Sequence, residues 1–337
     1  VSFYLEPVDG EPLPVYPAGQ FLTFQLELGD CSAGGRSAAR CYSLSDRHDS
    51  QAYRVTIKRI PAPHERPDLP PGLVSNHFHD HVLPGTVLQV PAPAGLFVLG
   101  EDASVPAVLI AGGVGITPLF AMAREALVAT PDRAIHLFHG VRDARDRVFA
   151  ADLLALAERH LNFRITFVHS GPPPNGPASP KDHETGYIDV AFLRRVLPYG
   201  QHQFYVCGPP PMMSSLVPEL RDWGVAGDAV RYEAFGPASI ESAEHLGASP
   251  LASPVEVRFA RSERTLSWTG GDTNLLDFAE RHGVAVDSGC RSGSCGTCAT
   301  ALFSGEVRYA QKPAFDLAKG QCLLCVGAPT GDLVLEA

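Results

Sequence analysis

Between Asp287 and Cys298 the chain reads DSGCRSGSCGTC, and two further cysteines, Cys322 and Cys325, follow in GQCLLCVGAP. Thiolates at Cys290, Cys295 and Cys298, spaced x4 and x2, with a distant fourth at Cys325, form the ligand set of a [2Fe–2S] centre. A tight loop wraps one iron and a later segment closes the other. Gly289, Gly293 and Gly296 let the backbone curl and aim N–H groups at the cluster sulfurs, where larger residues would obstruct it. Four cysteines can also make a closed zinc site, but structural zinc ligands usually come as two short pairs. The spacing here favours iron–sulfur, and with it the carriage of single electrons.

Cys322 sits three residues before Cys325 and competes for the fourth position. The stretch Gly320, Leu323, Cys325 resembles the plant-type ferredoxin pattern Gly-x-x-Leu-x-Cys, which favours Cys325 and makes Cys322 a spectator.

A second constellation is AGGVGITP, Ala111 to Pro118, between an apolar run and a helical pattern. Gly112, Gly113 and Gly115 let a dinucleotide pyrophosphate approach the backbone, where N–H groups of a helix N-terminus meet its charge. Alone, such a turn serves equally well for packing. CGPPPMM, with Cys207, Gly208 and Pro209, repeats the layout after another strand pattern, which places both turns at the C-terminal edge of one sheet. A third motif, RCYSLS, places Arg40, Tyr42 and Ser43 together: a charged fork for a phosphate, a ring to cover a flat cofactor, and a hydroxyl to bond it. PGLVSNHFHDHV, Pro71 to Val82, follows. Any one such tetrapeptide is by default an ordinary strand, and its weight comes from the company it keeps.

The elements that must position these groups fall into three domains and a linker. Residues 1–102 hold short alternating runs, FLTFQLEL, YRVTIKRI and VLQVPAP, divided by Pro and Gly, the pattern of an antiparallel β-barrel. Residues 103–237 alternate apolar strands (PAVLIAGG, AIHLFHGV, NFRITFVHS, QFYVCG) with amphipathic helices (TPLFAMAREALVA, VFAADLLALAERH), the pattern of a parallel α/β sheet. Residues 238–253 lie in an Ala, Ser and Pro-rich stretch that reads as a linker. Residues 254–337 form the small cluster domain, expected as an α+β β-grasp ferredoxin fold with a helix near Asn274 to His282. No internal repeat is present.

Together the motifs resemble the ferredoxin–NADP reductase superfamily over essentially the whole chain. The resemblance implies that Arg40, Tyr42 and Ser43 bind a flavin and that Gly72, Val74 and Ser75 hold the FAD pyrophosphate. Gly112, Gly113, Gly115, Thr117, Pro118, Gly208 and Pro209 would receive the nicotinamide dinucleotide. Phe235, in YEAFGPAS, would stack on the isoalloxazine, with Tyr42 on its other side. Thr117 and Cys207 would flank the nicotinamide, so that Ser43, Cys207 and Phe235 surround the reacting atoms. A C-terminal ferredoxin domain is similar to reductases of the phthalate dioxygenase type, which use FMN, and to hybrid-cluster-protein or carnitine-oxygenase-type reductases. GLVSNHFHDHV resembles flavohemoglobin reductase domains, which use FAD. FAD is favoured, with FMN left open.

The chemistry follows from electron counting. NADH or NADPH delivers two electrons as a hydride and the cluster accepts one, so a flavin must stand between them. Nicotinamide C4 must approach flavin N5 within about 3 to 3.5 Å. A plant-type cluster near about −400 mV lies below a Rieske centre at about −150 to +300 mV, so delivery to a Rieske-type or other oxygenase as acceptor is downhill. Arg142, Arg145 and Arg147 follow AIHLFHGV where a 2′-phosphate would lie, but Asp143 and Asp146 stand among them, which tips the balance to NADH. Two alternatives remain: the reductase portion of a self-sufficient multidomain oxygenase, and a zinc-stabilised or redox-sensing binding module.

The 337 residues, with net charge −10 and no basic run, argue against a nucleic-acid partner, and the acidic balance suits docking on a basic patch of an acceptor. Eight cysteines, most of them around one loop, fit a reducing cytoplasm better than a disulfide framework. Ala103 to Ala123 carries no charge, but its glycines and Pro118 read as strand, turn and helix rather than a membrane span. No signal peptide is visible. VSFYLEP opens without an initiator Met, as expected of a chain trimmed or cut from a longer polypeptide, and whether a further domain precedes it is left open. His77, His79 and His81 have helical spacing that pairs only the outer two, so metal binding is not expected there. GPPPNGPASPKD from Gly171 reads as a surface loop.

Overall fold

The computed structural model describes residues 1–28, 36–62, 71–171, 183–235, 254–272, 274–289, 291, 293, 295–309, 313, 315 and 317–337. Alternating runs near the N-terminus form β1 (Ser2–Leu5), β2 (Phe21–Leu28), β3 (Arg36–Ser43) and β4 (Tyr53–Thr56), and GLVSNHFHDHV forms α1 (Leu73–His81). β1 runs antiparallel to β4, and β2 pairs with β3. Among the described residues these are two-stranded ladders that do not close into the expected barrel. The run VLQVPAP joins no ladder. Pro91 and Pro93 lack the N–H that pairing requires, and the Val87 side chain is exposed, so alternation alone does not make a strand here.

The next stretch behaves as its periodicity dictates. The elements are β5 (Ala107–Gly112), α2 (Ile116–Ala129), β6 (Ile135–Val141), α3 (Ala150–Arg159), β7 (Phe163–His169), β8 (His183–Thr185), α4 (Val190–Val196), β9 (Gln203–Gly208), α5 (Pro210–Asp222) and β10 (Val230–Ala234). Six strands form one sheet in the order β10-β9-β5-β6-β7-β8, parallel throughout. Every residue of β5 is buried, as expected of a central strand covered by helices on both faces. The uncharged stretch 103–123 resolves into β5, a 3-10 turn (Gly113–Gly115) and the start of α2. Among the described residues no helix is long and apolar enough to cross a membrane.

The last hundred residues contain β11 (Val255–Phe259), β12 (Arg264–Trp268), α6 (Leu275–Arg281), β13 (Ala299–Ser304), β14 (Val307–Tyr309), β15 (Gln321–Leu323), β16 (Gly327–Pro329) and β17 (Leu333–Leu335). A five-stranded mixed sheet has the order β12-β11-β17-β13-β15, with β11 parallel to β17 and its other pairings antiparallel. α6 starts where expected: the Asn274 side chain accepts the Asp277 N–H at 2.8 Å, the bond that satisfies a helix's unpaired first-turn donors. Phe278 then packs on Trp268 at 5.1 Å and Phe259 at 6.3 Å.

Contacts divide the chain into two compact units, Val1–Phe21 with Tyr42–Val87 and Phe97–Phe235, and Leu22–Cys41 with Leu88–Leu96 and Gly236–Ala337. The expected linker, 238–253, lies outside the described residues, as does most of the proline-rich loop after Gly171.

Candidate functional site

In the first unit the sheet order reverses at β5 and β9, which run side by side with Ala111 opposite Cys207. Neighbouring strands whose connections leave in opposite directions open a crevice at their C-terminal ends, the usual ligand position in such sheets. Both glycine turns are there, in contact. A Cβ on Gly115 would collide with the Cys207 carbonyl, and one on Gly112 would lie 2.8 Å from Met212 Sδ. Gly208 is equally confined, since a Cβ there would lie 3.1 Å from the Gly112 Cα. Gly113 adopts φ +54°, a left-handed conformation that glycine enters without strain. Thr117 is buried and donates its hydroxyl to Val114 O at 3.1 Å, tying the first turn of α2 to the glycines, while Pro118 occupies that same turn. These residues fit a dinucleotide phosphate: the cradle admits no side chain, and its backbone leads into a helix N-terminus.

Cys207 is fully buried, and burial, then the nearby Glu233 carboxylate, push its thiol well above its usual pKa. Glu233 stands opposite Cys207 in the β9–β10 register. Ser43, also buried, donates its hydroxyl to Glu233 Oε2 at 3.4 Å. Ser43 and Cys207, expected to act together, thus share one carboxylate that sequence reasoning missed. Its only trace in the sequence is its place two residues before Phe235, which is half-buried against the core of the sheet. Tyr42 meets Phe78 of α1 edge-on at 5.4 Å.

At the start of α1, Gly72 is again a position only glycine fits, since a Cβ would lie 2.7 Å from Ser75 Oγ and 2.8 Å from Ile60 Cβ. Ser75 accepts the Ile60 N–H at 3.4 Å and donates to Gly72 O at 3.1 Å, and Val74 is buried beneath it. No acidic side chain occupies this first turn, which keeps it compatible with an anion. On the same helix His77 and His81 meet at 4.9 Å, while His79 bonds to Ile57 O at 3.0 Å.

The arginines after β6 are engaged locally. Arg142 bonds Asp146 at 3.1 Å, and Lys58 reaches the same carboxylate at 3.5 Å. Arg145 bonds Asp143 at 2.8 Å, and that hydrogen bond holds the Asp143 carboxyl down to about 2. Arg147 turns inward, donating to His169 Nε2 at 2.9 Å and lying over the Phe167 ring.

In the second unit, Arg40 lies on β3 and donates to Ala39 O at 2.7 Å. Cys290 lies outside the described residues, but Cys295, Cys298 and Cys325 are described, and all are free thiols. The Cys325 N–H points at Cys298 Sγ, 3.4 Å away, which joins the loop to the segment after β15. Cys295 Sγ is 3.1 Å from Thr297 Oγ1. Gly293 and Gly296 have φ +77° and +75°, and a Cβ on Gly289 would lie 2.9 Å from Cys295 Sγ. The turn therefore requires glycine where the spacing placed it. Arg291, also left-handed at φ +56°, is held by Asp277 at 3.4 Å and by Glu280. Cys322 is on β15 opposite Thr300, and burial, then Cys298, push its thiol up to about 12. Soft thiols on a glycine-shaped loop, with Cys298 and Cys325 brought together, have the chemistry of iron–sulfur ligands, while among the described residues no three such side chains are grouped closely enough to hold a metal ion.

Residues 109–217 match the oxidoreductase NAD-binding domain family and residues 257–330 the 2Fe-2S iron-sulfur cluster binding domain family. A flavohemoprotein of Halalkalibacterium halodurans is 37% identical over 237 residues, 70% of this chain and 56% of the relative. The chain thus spans about half the length of the curated relatives it matches. Phthalate dioxygenase reductase, described as a modular structure for electron transfer from pyridine nucleotides to [2Fe–2S], superposes with a TM-score of 0.57 at 26% identity, over 100% of this chain and 92% of that one. An intact type IV self-sufficient cytochrome P450 monooxygenase shares the fold with a TM-score of 0.62 at 24% identity, over 100% of this chain and 39% of that one. With an NAD-binding oxidoreductase domain followed by a 2Fe–2S domain, the chain belongs to the ferredoxin–NADP reductase superfamily, as a reductase with a C-terminal plant-type [2Fe–2S] ferredoxin domain.

Proposed function

We propose that this reductase takes a hydride from NADH, or less readily NADPH, onto FAD and passes single electrons through its [2Fe–2S] cluster to an acceptor protein, a Rieske-type or other oxygenase. The observation that carries the reading is the meeting of Gly115 with the Cys207 backbone at the sheet's reversal point, beside the Ser43–Glu233 bond. When bound, FAD accepts electrons in pairs and releases them singly, which a one-electron cluster requires.

The chain's own groups then have assignable tasks. The glycine turn and the first turn of α2 bind the dinucleotide phosphates. Thr117 and the neutral Cys207 thiol form an uncharged floor for the nicotinamide. The Ser43 hydroxyl proton, held toward Glu233, gives that carboxylate a fixed partner at the flavin edge. Tyr42 and Phe235 cover the flavin ring, Arg40 takes its phosphate, and Gly72, Val74 and Ser75 position the FAD pyrophosphate. Arg142 is already paired through its Nε with Asp146, which offsets part of its charge where a 2′-phosphate would lie and supports the preference for NADH. Cys290, Cys295, Cys298 and Cys325 hold the cluster, and the match over 257–330 favours iron–sulfur over zinc.

In this reading residues 1–102 are the flavin barrel, 103–237 the nucleotide domain and 254–337 a β-grasp ferredoxin domain, working in the cytoplasm. A second form of the same reading takes this as the reductase portion of a longer self-sufficient oxygenase. Reading the frame upstream of Val1 tests it.

Anaerobic titration with NADH tests the main reading. Flavin and iron–sulfur absorbances should bleach together, with about 1.5 NADH consumed per protein for three electrons. A protein showing flavin bands alone, or none after supply of FAD and iron, would defeat it.

A further inference from the structure

His139 lies in the middle of β6, opposite Ala111 of β5 and Phe167 of β7, and has no exposed surface. An aliphatic or aromatic residue would suit that position in a buried parallel strand, so an imidazole there needs a reason. Its Nε2 is 3.0 Å from the carbonyl oxygen of Gly113, the left-handed residue that begins the glycine turn. Its Nδ1 is buried and has no hydrogen-bond partner among the described residues. A carbonyl only accepts, so Nε2 carries the proton and Nδ1 is bare. The Gly113 oxygen also accepts the Ile116 N–H, so the imidazole adds a second, sheet-anchored bond to an atom the turn already uses.

We propose that His139 is a positioning residue of the nucleotide turn: its Nε2–H pins the Gly113 carbonyl and so fixes the Gly113–Val114 peptide in the orientation that receives a dinucleotide phosphate. The inference rests on the functional reading of that turn given above. In a trans peptide the N–H points opposite to the C=O. Holding the Gly113 oxygen toward β6 therefore directs the Val114 N–H away from the strand, and no peptide among the described residues is cis. Gly113 needs such a restraint because glycine has the widest choice of backbone conformations, and no side chain of its own limits them. Burial holds the imidazole pKa down to about 4, which keeps the ring in the single-donor form that the geometry uses.

The test compares H139F, which keeps an aromatic ring without the donor, with H139Q, whose amide N–H can reach the same carbonyl, in the full flavin- and cluster-loaded chain. NAD+ affinity is read by calorimetry, beside KM and kcat for NADH with ferricyanide and the Tm. H139F should raise the Kd for NAD+ and the KM for NADH about tenfold, equivalent to about 1.4 kcal/mol, with kcat within about twofold. H139Q should recover most of the lost affinity. Equal weakening in both variants, or unchanged binding by H139F, would overturn the inference while leaving the functional reading intact. A wild-type protein that does not bind NAD+ would overturn both. If H139F does not fold, the imidazole 15N shifts of the wild type decide: a protonated Nε2 with bare Nδ1 supports the role, and the opposite tautomer removes it.

Discussion

Ser43 and Glu233 are 190 positions apart in sequence, yet the serine hydroxyl donates to the glutamate at 3.4 Å, and the glutamate stands in register with Cys207. A side-chain hydrogen bond contributes roughly 0.5–1.5 kcal/mol net. Ser43→Ala should therefore slow flavin reduction by NADH up to about tenfold, measured by stopped-flow absorbance, with the Tm lowered by only a few degrees. An unchanged rate would remove Ser43 from the site.

Gly115→Ala drives a methyl group into the Cys207 carbonyl, so either the turn or the end of β9 must move. Overpacking of this kind costs about 1–3 kcal/mol, which urea unfolding can detect. The KM for NADH should rise with it, because the displaced backbone is the proposed phosphate cradle. By contrast, Gly227→Ala, at a glycine with open space around it, should leave KM unchanged.

Cys295→Ser should abolish reduction of a cluster-dependent acceptor while NADH still reduces the flavin. Equal loss of both activities would contradict the division between the two units. Cys322→Ser is the companion variant: as a buried strand residue opposite Thr300, it should lower stability and leave the cluster spectrum intact.

Two histidines of β6 make stability depend on pH. Burial is the main cause that lowers both His136 and His139 to about 4. The unfolded chain, with histidines near 6.5, binds more protons than the folded one between these values. Their contribution is complete above about pH 6.5 and is lost as pH falls through about 4. For the fully buried His139 it amounts to about 3 kcal/mol. Unfolding followed at pH 7.5, 6 and 5 should show falling stability, and H139F should flatten the curve.

Much of this protein is legible in its residues because the signals are local. The cysteine spacing and the glycines at 293 and 296 state what one short loop must do, and the structure shows that loop using left-handed glycine backbone there. The glycine turn after β5 and the strand–helix alternation from Ala107 to Asp222 are likewise demands of backbone geometry and side-chain period, and the parallel sheet follows from them. VLQVPAP shows the limit of period alone, since its prolines withhold the donors that a ladder needs. What only the tertiary structure decided are meetings across strands. Glu233 stands beside Cys207 because β10 lies beside β9, and His139 reaches Gly113 because β6 lies beside β5. Such pairs depend on sheet order and side-chain direction, which are set by burial of the whole core and leave no spacing in the chain to read.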